Sequence, residues 1–177
     1  MPIDFANAQS TIAKTIPVID VSGAISGDGI NGVADEIYAA AINHGFFYIS
    51  NHGIEPALME QAFAVSKAFF ELPESKKQAV AVDKNQRGWL AQGMSRLQGS
   101  KTHDLKEVFF WGAHTAADDA DMLAGKPLCA VNQWPKDFPR LYADLVPYYD
   151  AVCQVAGCVM AAVAVSLDQP SNFFDEA

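Results

Sequence analysis

The side chains best suited to acid–base or metal chemistry in this 177-residue chain are four histidines: His44, His52, His103 and His114. None is followed two residues later by Asp or Glu, the spacing that places two ligands on one face of a strand. His103 is followed directly by Asp104, and neighbouring side chains on a strand face opposite ways. A metal site built from His103, Asp104 and His114 is one alternative. His44 and His52 are expected instead to hydrogen-bond to the backbone, at a helix end and in a turn.

Other catalytic classes lack their motifs. The sequence contains no GxSxG, Walker loop or GxGxxG, which argues against hydrolases of that type and against nucleotide-binding folds. The net charge of −9 argues against a nucleic-acid partner. Cys129, Cys153 and Cys158 cannot all pair with one another, so we predict reduced core thiols of a cytoplasmic protein. The N-terminus, MPIDFANAQS, lacks the pattern of a secretory signal.

The elements that must position any site are organised around residues 40–54, which read AAINHGFFYISNHGI. Gly45 is suited to end the preceding helix, because a residue without Cβ adopts the left-handed conformation freely. The aromatic and β-branched run at 46–50 predicts a strand that is covered on both faces. Asn51, His52 and Gly53 then predict a turn.

The remaining pattern predicts helices alternating with short strands. A strand at 16–21 and a loop at 22–32 precede a helix from Val33, and Pro56 opens the next helix. The apolar stripe expected to face the core in that helix is Met59, Ala62, Phe63, Ser66, Phe69 and Phe70. Further elements are a short helix after Pro73, a turn at 85–88, strand-like pieces near 80–83, 88–92 and 105–112, and an acidic surface loop at 113–129 with one helical turn around 118–122.

A long final helix is predicted from Pro139, with a kink or a break at Pro147 because proline cannot donate the helical hydrogen bond. Residues 151–167 are almost entirely apolar, but Gln154, Gly157 and Ser166 interrupt the run. We therefore predict a buried helix here and no membrane span. Because this helix is apolar nearly all round, it needs cover on several faces.

The order of these motifs resembles a known family. IPVIDVSG, HGFFYISNHGI, FFELPESKK, RGWL, DLKEVFFWG and NQWP follow one another as in the N-terminal region of isopenicillin N synthase-like, 2-oxoglutarate- and Fe(II)-dependent dioxygenases. The resemblance implies an α+β fold, with helices packed on a small sheet that precedes a double-stranded β-helix, or jelly roll. We expect a flexible arm at 1–15 and one N-terminal dioxygenase domain at 16–177, with the jelly roll expected after residue 177 and mostly absent from this chain.

In the family the jelly roll carries a His-x-Asp pair and a distant His, which bind the iron, and an Arg-x-Ser, which binds 2-oxoglutarate. Two imidazoles and one carboxylate on one face of the iron leave its other coordination positions open. The four histidines here do not supply that triad. We therefore expect no catalytic residue and no metal ligand in this chain. Fe(II) and 2-oxoglutarate are implied for the full-length enzyme, with neither bound by this chain alone.

The resemblance implies substrate-binding roles for Arg87, Trp89, Val108 and Phe110. An arginine in this stretch can hold a substrate carboxylate, and Trp89 can wall the same pocket. The alternatives are a surface arginine beside a turn and plain core packing for the other three side chains. The residues expected to form a structural signature, with an ion pair or loop anchor among the charged ones, are Gly45, His52, Gly53, Asp104, Lys106 and Glu107.

Two functions follow as hypotheses. The first is the substrate-shaping, N-terminal part of an oxidoreductase that hydroxylates, desaturates or cyclises a small molecule and is inactive without its jelly roll. The second is a complete, non-catalytic interaction module. In the first case the jelly roll covers the last helix; in the second a self-association partner does so. Neither hypothesis includes a nucleic-acid or membrane partner.

Overall fold

A computed structural model describes residues 15–96, 99 and 101–175. The predicted arm at 1–15 therefore lies almost wholly outside the described residues. Four strands are present in this part of the chain: β1 (Val18–Asp20), β2 (Tyr48–Ser50), β3 (Gly88–Leu90) and β4 (Val108–Phe110). The helices are α1 (Ser22–Ser26), α2 (Ile30–Asn43), α3 (Pro56–Phe70), α4 (Glu74–Lys77), α5 (Ala120–Leu123) and α6 (Arg140–Ser166), with a 3-10 turn at Gln78–Val80. This helix-rich chain with two small sheets agrees with the predicted α+β class.

The chain divides into two compact units. The first comprises residues up to 54 together with those from 151 onward, and the second is the continuous segment 55–150. Helix α6 contributes its first turns to the second unit and the rest of its length to the first. Each unit has its own hydrophobic cluster.

The first unit is built on the parallel pair β1–β2, in which Val18 pairs with Tyr48 and Ile19 with Ile49. Ile19 is 1% exposed and packs with buried side chains of α2 and with Ala162 of α6. Val18 and Tyr48 are each 61% exposed, so the prediction of a strand covered on both faces was wrong. Successive side chains of a strand point to opposite faces. The described residues cover only the face that carries Ile19 and Ile49, so the alternate side chains stay exposed.

The predicted roles of two glycines in the first unit are confirmed. Gly45 has φ +80° at the end of α2 and Gly53 has φ +74° after β2. The loop predicted at 22–32 was wrong in part, because α1 occupies its first residues. The Asp20 carboxylate accepts a hydrogen bond from the Ser22 amide at 2.9 Å and so favours a tight first turn.

The second unit begins with α3, which starts at Pro56 as predicted. Its buried face is formed by Ala62, Val65 and Phe69, spaced three and four residues apart. Phe63 is 75% exposed, so its predicted place in the core stripe was wrong. The predicted strand near 80–83 is a 3-10 turn followed by a single bridge between Ala81 and Trp89.

Strands β3 and β4 form an antiparallel ribbon in which Gly88 pairs with Phe110 and Trp89 with Phe109. Gly88 has φ +110°, and a Cβ at this position would lie 2.4 Å from the Val80 carbonyl oxygen. No other residue type fits both constraints, so the ribbon can begin here only with glycine.

Helix α6 runs without a break through Pro147, so of the predicted kink or break the break was wrong and the kink stays a prediction. In an apolar 18-residue window of this helix, 11% is buried within the described residues, so these residues do not supply the cover that the predicted buried helix at 151–167 requires. The helix is long and apolar enough to cross a membrane by length and composition alone, a test that core helices of soluble proteins also pass. The prediction of core thiols was wrong as well, since Cys153 is exposed and Cys129 and Cys158 are half-buried.

Candidate functional site

A polar network in the second unit is built around Glu107, which directly precedes β4. The Oε2 atom of Glu107 accepts hydrogen bonds from Lys77 Nζ and from the indole nitrogen of Trp89, both at 2.6 Å. Lys77 also donates to the Phe70 carbonyl at 2.8 Å, and its ammonium lies 5.2 Å from the Trp89 ring centroid. The side chain of Lys77 is 8% exposed and that of Glu107 is 28% exposed. This buried ion pair fixes the Trp89 ring and ties the end of α3 to the ribbon.

Arg87 lies at the start of the ribbon and is also buried, with 8% of its surface exposed. Its Nη1 donates to the carbonyls of Asn85 and Gln86 at 3.4 and 3.3 Å, and its Nη2 donates to the carbonyl of Leu128. Among the described residues, the buried Nε atom has no hydrogen-bond partner and no carboxylate forms an ion pair with the guanidinium. Burying a cation that has only neutral carbonyls as partners is costly, and a bound anion would lower that cost.

The backbone around Arg87 is held by side-chain amides of the NQWP segment. Gln133 Nε2 donates to the Arg87 carbonyl at 2.6 Å and to the Ala81 carbonyl at 3.2 Å. Asn132 accepts from the Gly112 amide at 2.9 Å and donates to the Gly112 carbonyl at 2.8 Å, as a paired strand residue does. These amides extend a two-stranded ribbon that would be marginal alone.

The ribbon separates the four predicted substrate-binding residues. Trp89 and its partner Phe109 belong to the core cluster, where Phe109 packs edge-on against Phe69 with 4.9 Å between centroids. Val108 and Phe110 alternate with Phe109 and are half-buried, so they lie on the opposite face. The structure therefore brings Arg87, Trp89, Val108 and Phe110 to one ribbon, but it does not bring them to one surface.

The remaining signature residues have structural contacts. Asp104 forms an ion pair with Lys106 at 3.1 Å and accepts a hydrogen bond from the Ser95 hydroxyl at 3.1 Å. The Lys106 ammonium, followed by that hydroxyl, holds the pKa of Asp104 below its usual value. In the first unit, His52 Nδ1 accepts a hydrogen bond from the Ile54 amide at 3.1 Å, as expected for a turn histidine.

The described residues do not fit an iron site. No group of three or more His, Cys, Asp or Glu side chains in residues 15–96, 99 and 101–175 is arranged to hold a metal ion. The alternative site at His103, Asp104 and His114 was therefore wrong. None of the three arginines, Arg87, Arg96 and Arg140, is followed two residues later by serine, so the sequence also lacks the Arg-x-Ser that binds 2-oxoglutarate.

Sequence reasoning missed Lys77, Asn132 and Gln133. Lys77 follows another lysine, Lys76, whose side chain is 56% exposed, and no local pattern distinguishes the buried lysine from the exposed one. The two amides precede Trp134 and Pro135 in a segment that the sequence presents only as a boundary. The sequence feature that could have identified them is a pair of adjacent amides directly before Trp134. Trp134 packs against the core cluster together with residues of the ribbon.

Comparison with known proteins decides the family. The family described as "non-haem dioxygenase in morphine synthesis N-terminal" matches residues 16–137. The chain belongs to this family. A 2-oxoglutarate-Fe(II) type oxidoreductase of Aspergillus fumigatus is 32% identical to this dioxygenase N-terminal chain over 148 residues, covering 81% of the chain and 44% of the relative. A 2-oxoglutarate-dependent dioxygenase of Aspergillus niger, caaD, is 29% identical over 173 residues, covering 93% of the chain and 52% of the relative.

Solved structures agree with this dioxygenase assignment. A 2OG-Fe(II) oxygenase family protein from Caulobacter crescentus superposes with a TM-score of 0.76 at 27% identity, covering 91% of this chain and 51% of that one. A full-length protein of Neurospora crassa, solved in complex with alpha-KG, gives a TM-score of 0.72 at 27% identity over 90% of this chain and 49% of its own. The dioxygenase N-terminal chain thus spans about half the length of the relatives it matches.

Proposed function

We propose that this chain is the substrate-shaping, N-terminal part of a 2-oxoglutarate- and Fe(II)-dependent oxidoreductase that acts on a small molecule. The family match over residues 16–137 and the names of the relatives support this proposal. In such an enzyme the iron and 2-oxoglutarate supply the oxidation of a C–H bond, which ends in hydroxylation, desaturation or ring closure. We assign the iron ligands to a jelly roll on further polypeptide, because the relatives are about twice as long as the segment they share with this chain. We also propose a cytoplasmic location.

The observation that carries the substrate proposal is the buried Arg87 guanidinium with no acidic partner among the described residues. A carboxylate could accept two parallel hydrogen bonds from this planar group, with more geometric selectivity than a lysine ammonium provides. We therefore propose that the substrate carries a carboxylate, or a similar anionic group, that Arg87 holds. The other residues have separate tasks: Val108 and Phe110 shape an apolar wall, and Trp89 positions the ribbon from its core side.

The test uses the full-length protein encoded by the gene, supplied with Fe(II), 2-oxoglutarate and a panel of small carboxylates, each paired with its neutral amide. Succinate formation should be stimulated by at least one carboxylate and not by its amide. Arg87→Lys should raise KM for that carboxylate about tenfold or more, because it keeps the charge but loses the paired hydrogen bonds. Stimulation by amides and carboxylates alike, or an unchanged KM in Arg87→Lys, would refute the anion site.

The second hypothesis, a non-catalytic interaction module, is favoured by one observation. Helix α6 leaves apolar side chains exposed in the described residues, including Val152 and Met160, which are 37% and 42% exposed. A self-associating chain would bury this surface against a second copy. Light scattering on the 177-residue chain separates the two hypotheses, because a monomer that binds no hydrophobic dye argues against the module.

A further inference from the structure

The carbonyl that Arg87 binds belongs to an unusual turn. The Cys129 amide donates to the Lys126 carbonyl at 3.3 Å, Pro127 occupies the second position and Leu128 has φ +65°. This is the pattern of a type II turn, whose third position normally requires glycine or asparagine. A bulky residue with positive φ is strained, so the turn is held against a local conformational preference.

The Leu128 side chain does not offset this strain by packing, since it is 64% exposed. Its carbonyl instead accepts the hydrogen bond from Arg87 Nη2. The Cβ of a residue larger than glycine at position 112 would lie 3.0 Å from that same Nη2, so Gly112 leaves room for the guanidinium. The contact with Arg87 therefore anchors the strained residue itself. The start of the turn is held separately by Lys126, whose amide donates to the Asp121 carbonyl at 3.0 Å and whose ammonium pairs with the Asp121 carboxylate at 2.7 Å.

The guanidinium has two different edges. Nη1 is bound to the carbonyls of Asn85 and Gln86, which hold that side of the group in place. The opposite edge, formed by Nη2 and Nε, can bind a carboxylate through two parallel N–H groups. Nη2 donates to the Leu128 carbonyl, and Nε has no hydrogen-bond partner among the described residues. Among the described residues, Nη2 and Nε are thus offered a single acceptor, a neutral carbonyl.

We propose that the Leu128 carbonyl is a placeholder for an anionic ligand group, and that the turn of residues 126–129 withdraws when a carboxylate binds Arg87. This inference rests on the proposed anion site at Arg87. When a carboxylate takes the place of the Leu128 carbonyl at Arg87, a charged acceptor with two oxygens replaces a single neutral one. Withdrawal of the turn also releases the strain at Leu128. Nε is buried in the closed form, so the chain around the guanidinium must move before a ligand can engage both N–H groups, and we assign this movement to the turn.

Cys129 provides a reporter because it follows Leu128 directly and is half-buried. In the 177-residue chain carrying Cys153→Ser and Cys158→Ser, Cys129 is the remaining thiol. The probe is benzoate, compared with benzamide at matched ionic strength. Binding is followed by ligand-observed NMR, and Cys129 exposure by its rate of reaction with a thiol reagent. Benzoate should bind and raise this rate several-fold, whereas benzamide should do neither.

Two variants and one control sharpen the test. Arg87→Met should abolish benzoate binding and raise the basal Cys129 rate, because the turn loses its anchor. Leu128→Gly should weaken benzoate binding by up to about tenfold. Glycine removes the strain of the closed turn, where φ is positive, and so makes withdrawal of the turn less favourable. Asp168→Gly is the matched control: Asp168 also has positive φ (+58°) but lies in the other unit, so benzoate affinity should stay the same.

The outcomes separate the two proposals. Arg87-dependent benzoate binding with an unchanged Cys129 rate overturns the placeholder and leaves the anion site intact. Absence of Arg87-dependent binding overturns the anion site, and the displacement with it. Equal affinity in Leu128→Gly and its parent also counts against the placeholder, because the strained turn would then play no part in binding.

Discussion

The Glu107 network predicts a large effect from removing a single charge. Glu107→Gln keeps an oxygen that can accept from Trp89 but leaves the Lys77 ammonium, 8% exposed, without its carboxylate. Breaking a fully buried ion pair costs about 3–5 kcal/mol, and the 28% exposure of Glu107 reduces the expected loss in the free energy of unfolding to about 2–4 kcal/mol. Lys77→Met should lower the free energy of unfolding less, by about 1 kcal/mol, because it removes the ammonium and leaves no buried cation unpaired.

The measurement is urea unfolding of the four proteins of a double-mutant cycle, followed by circular dichroism and tryptophan fluorescence. The double variant should be only slightly less stable than Lys77→Met, which corresponds to a coupling of about 2–3 kcal/mol. Asp137→Asn is the matched control, because the Lys76–Asp137 pair has the same 2.6 Å separation but is largely exposed, and its removal should hardly change the midpoint. Additive costs, or a Glu107→Gln protein as stable as the parent, would refute the buried-pair argument.

Three further predictions concern the ribbon and the first unit. Gly88→Ala should destabilise the chain by about 3 kcal/mol or more, through contact with the Val80 carbonyl and a positive φ, and an unfolding midpoint near that of the parent would contradict this. Asn132→Ala should cost about 1–3 kcal/mol, since it leaves the Gly112 amide and carbonyl unpaired; hydrogen exchange at the Gly112 amide should accelerate, and unchanged protection would count against the amide clamp. Hydrogen bonds from the Ser22 hydroxyl and amide, then from Asn51, lower the pKa of Asp20. The contribution of this carboxylate to the free energy of unfolding is therefore present above its unfolded-state pKa and lost as pH falls through its folded-state pKa. Asp20→Asn should flatten the acid limb of a stability–pH curve, and parallel curves for variant and parent would refute this.

Local signals predicted local structure well. Gly45 and Gly53 end their elements with positive φ, and Pro56 opens α3, because each outcome depends on one residue's own backbone preferences. The motif order from IPVID to NQWP was enough to identify the family, which the match over residues 16–137 confirms. These features require no knowledge of what packs against them.

Burial was harder to predict, because it depends on neighbours distant in sequence. Tyr48 and Phe63 look like core residues in their segments, yet they are 61% and 75% exposed. Lys77 looks like a surface lysine, and its burial arises from Glu107, thirty residues away. Leu128 carries no glycine-like signal for its positive φ, so the turn beside Arg87 could not be foreseen. The site roles of Arg87, Val108 and Phe110 stay predictions.

The two-unit arrangement also has a consequence for synthesis on the ribosome. The second unit is continuous from 55 to 150, so every residue of its core is available as soon as that stretch has left the exit tunnel. The first unit must wait, since Ile19 and Val21 share their buried cluster with Ala162 near the far end of α6. Ile19 and Val21 therefore reach their final packing only after Ala162 has been synthesised, and until then the pair β1–β2 is a potential client for chaperones.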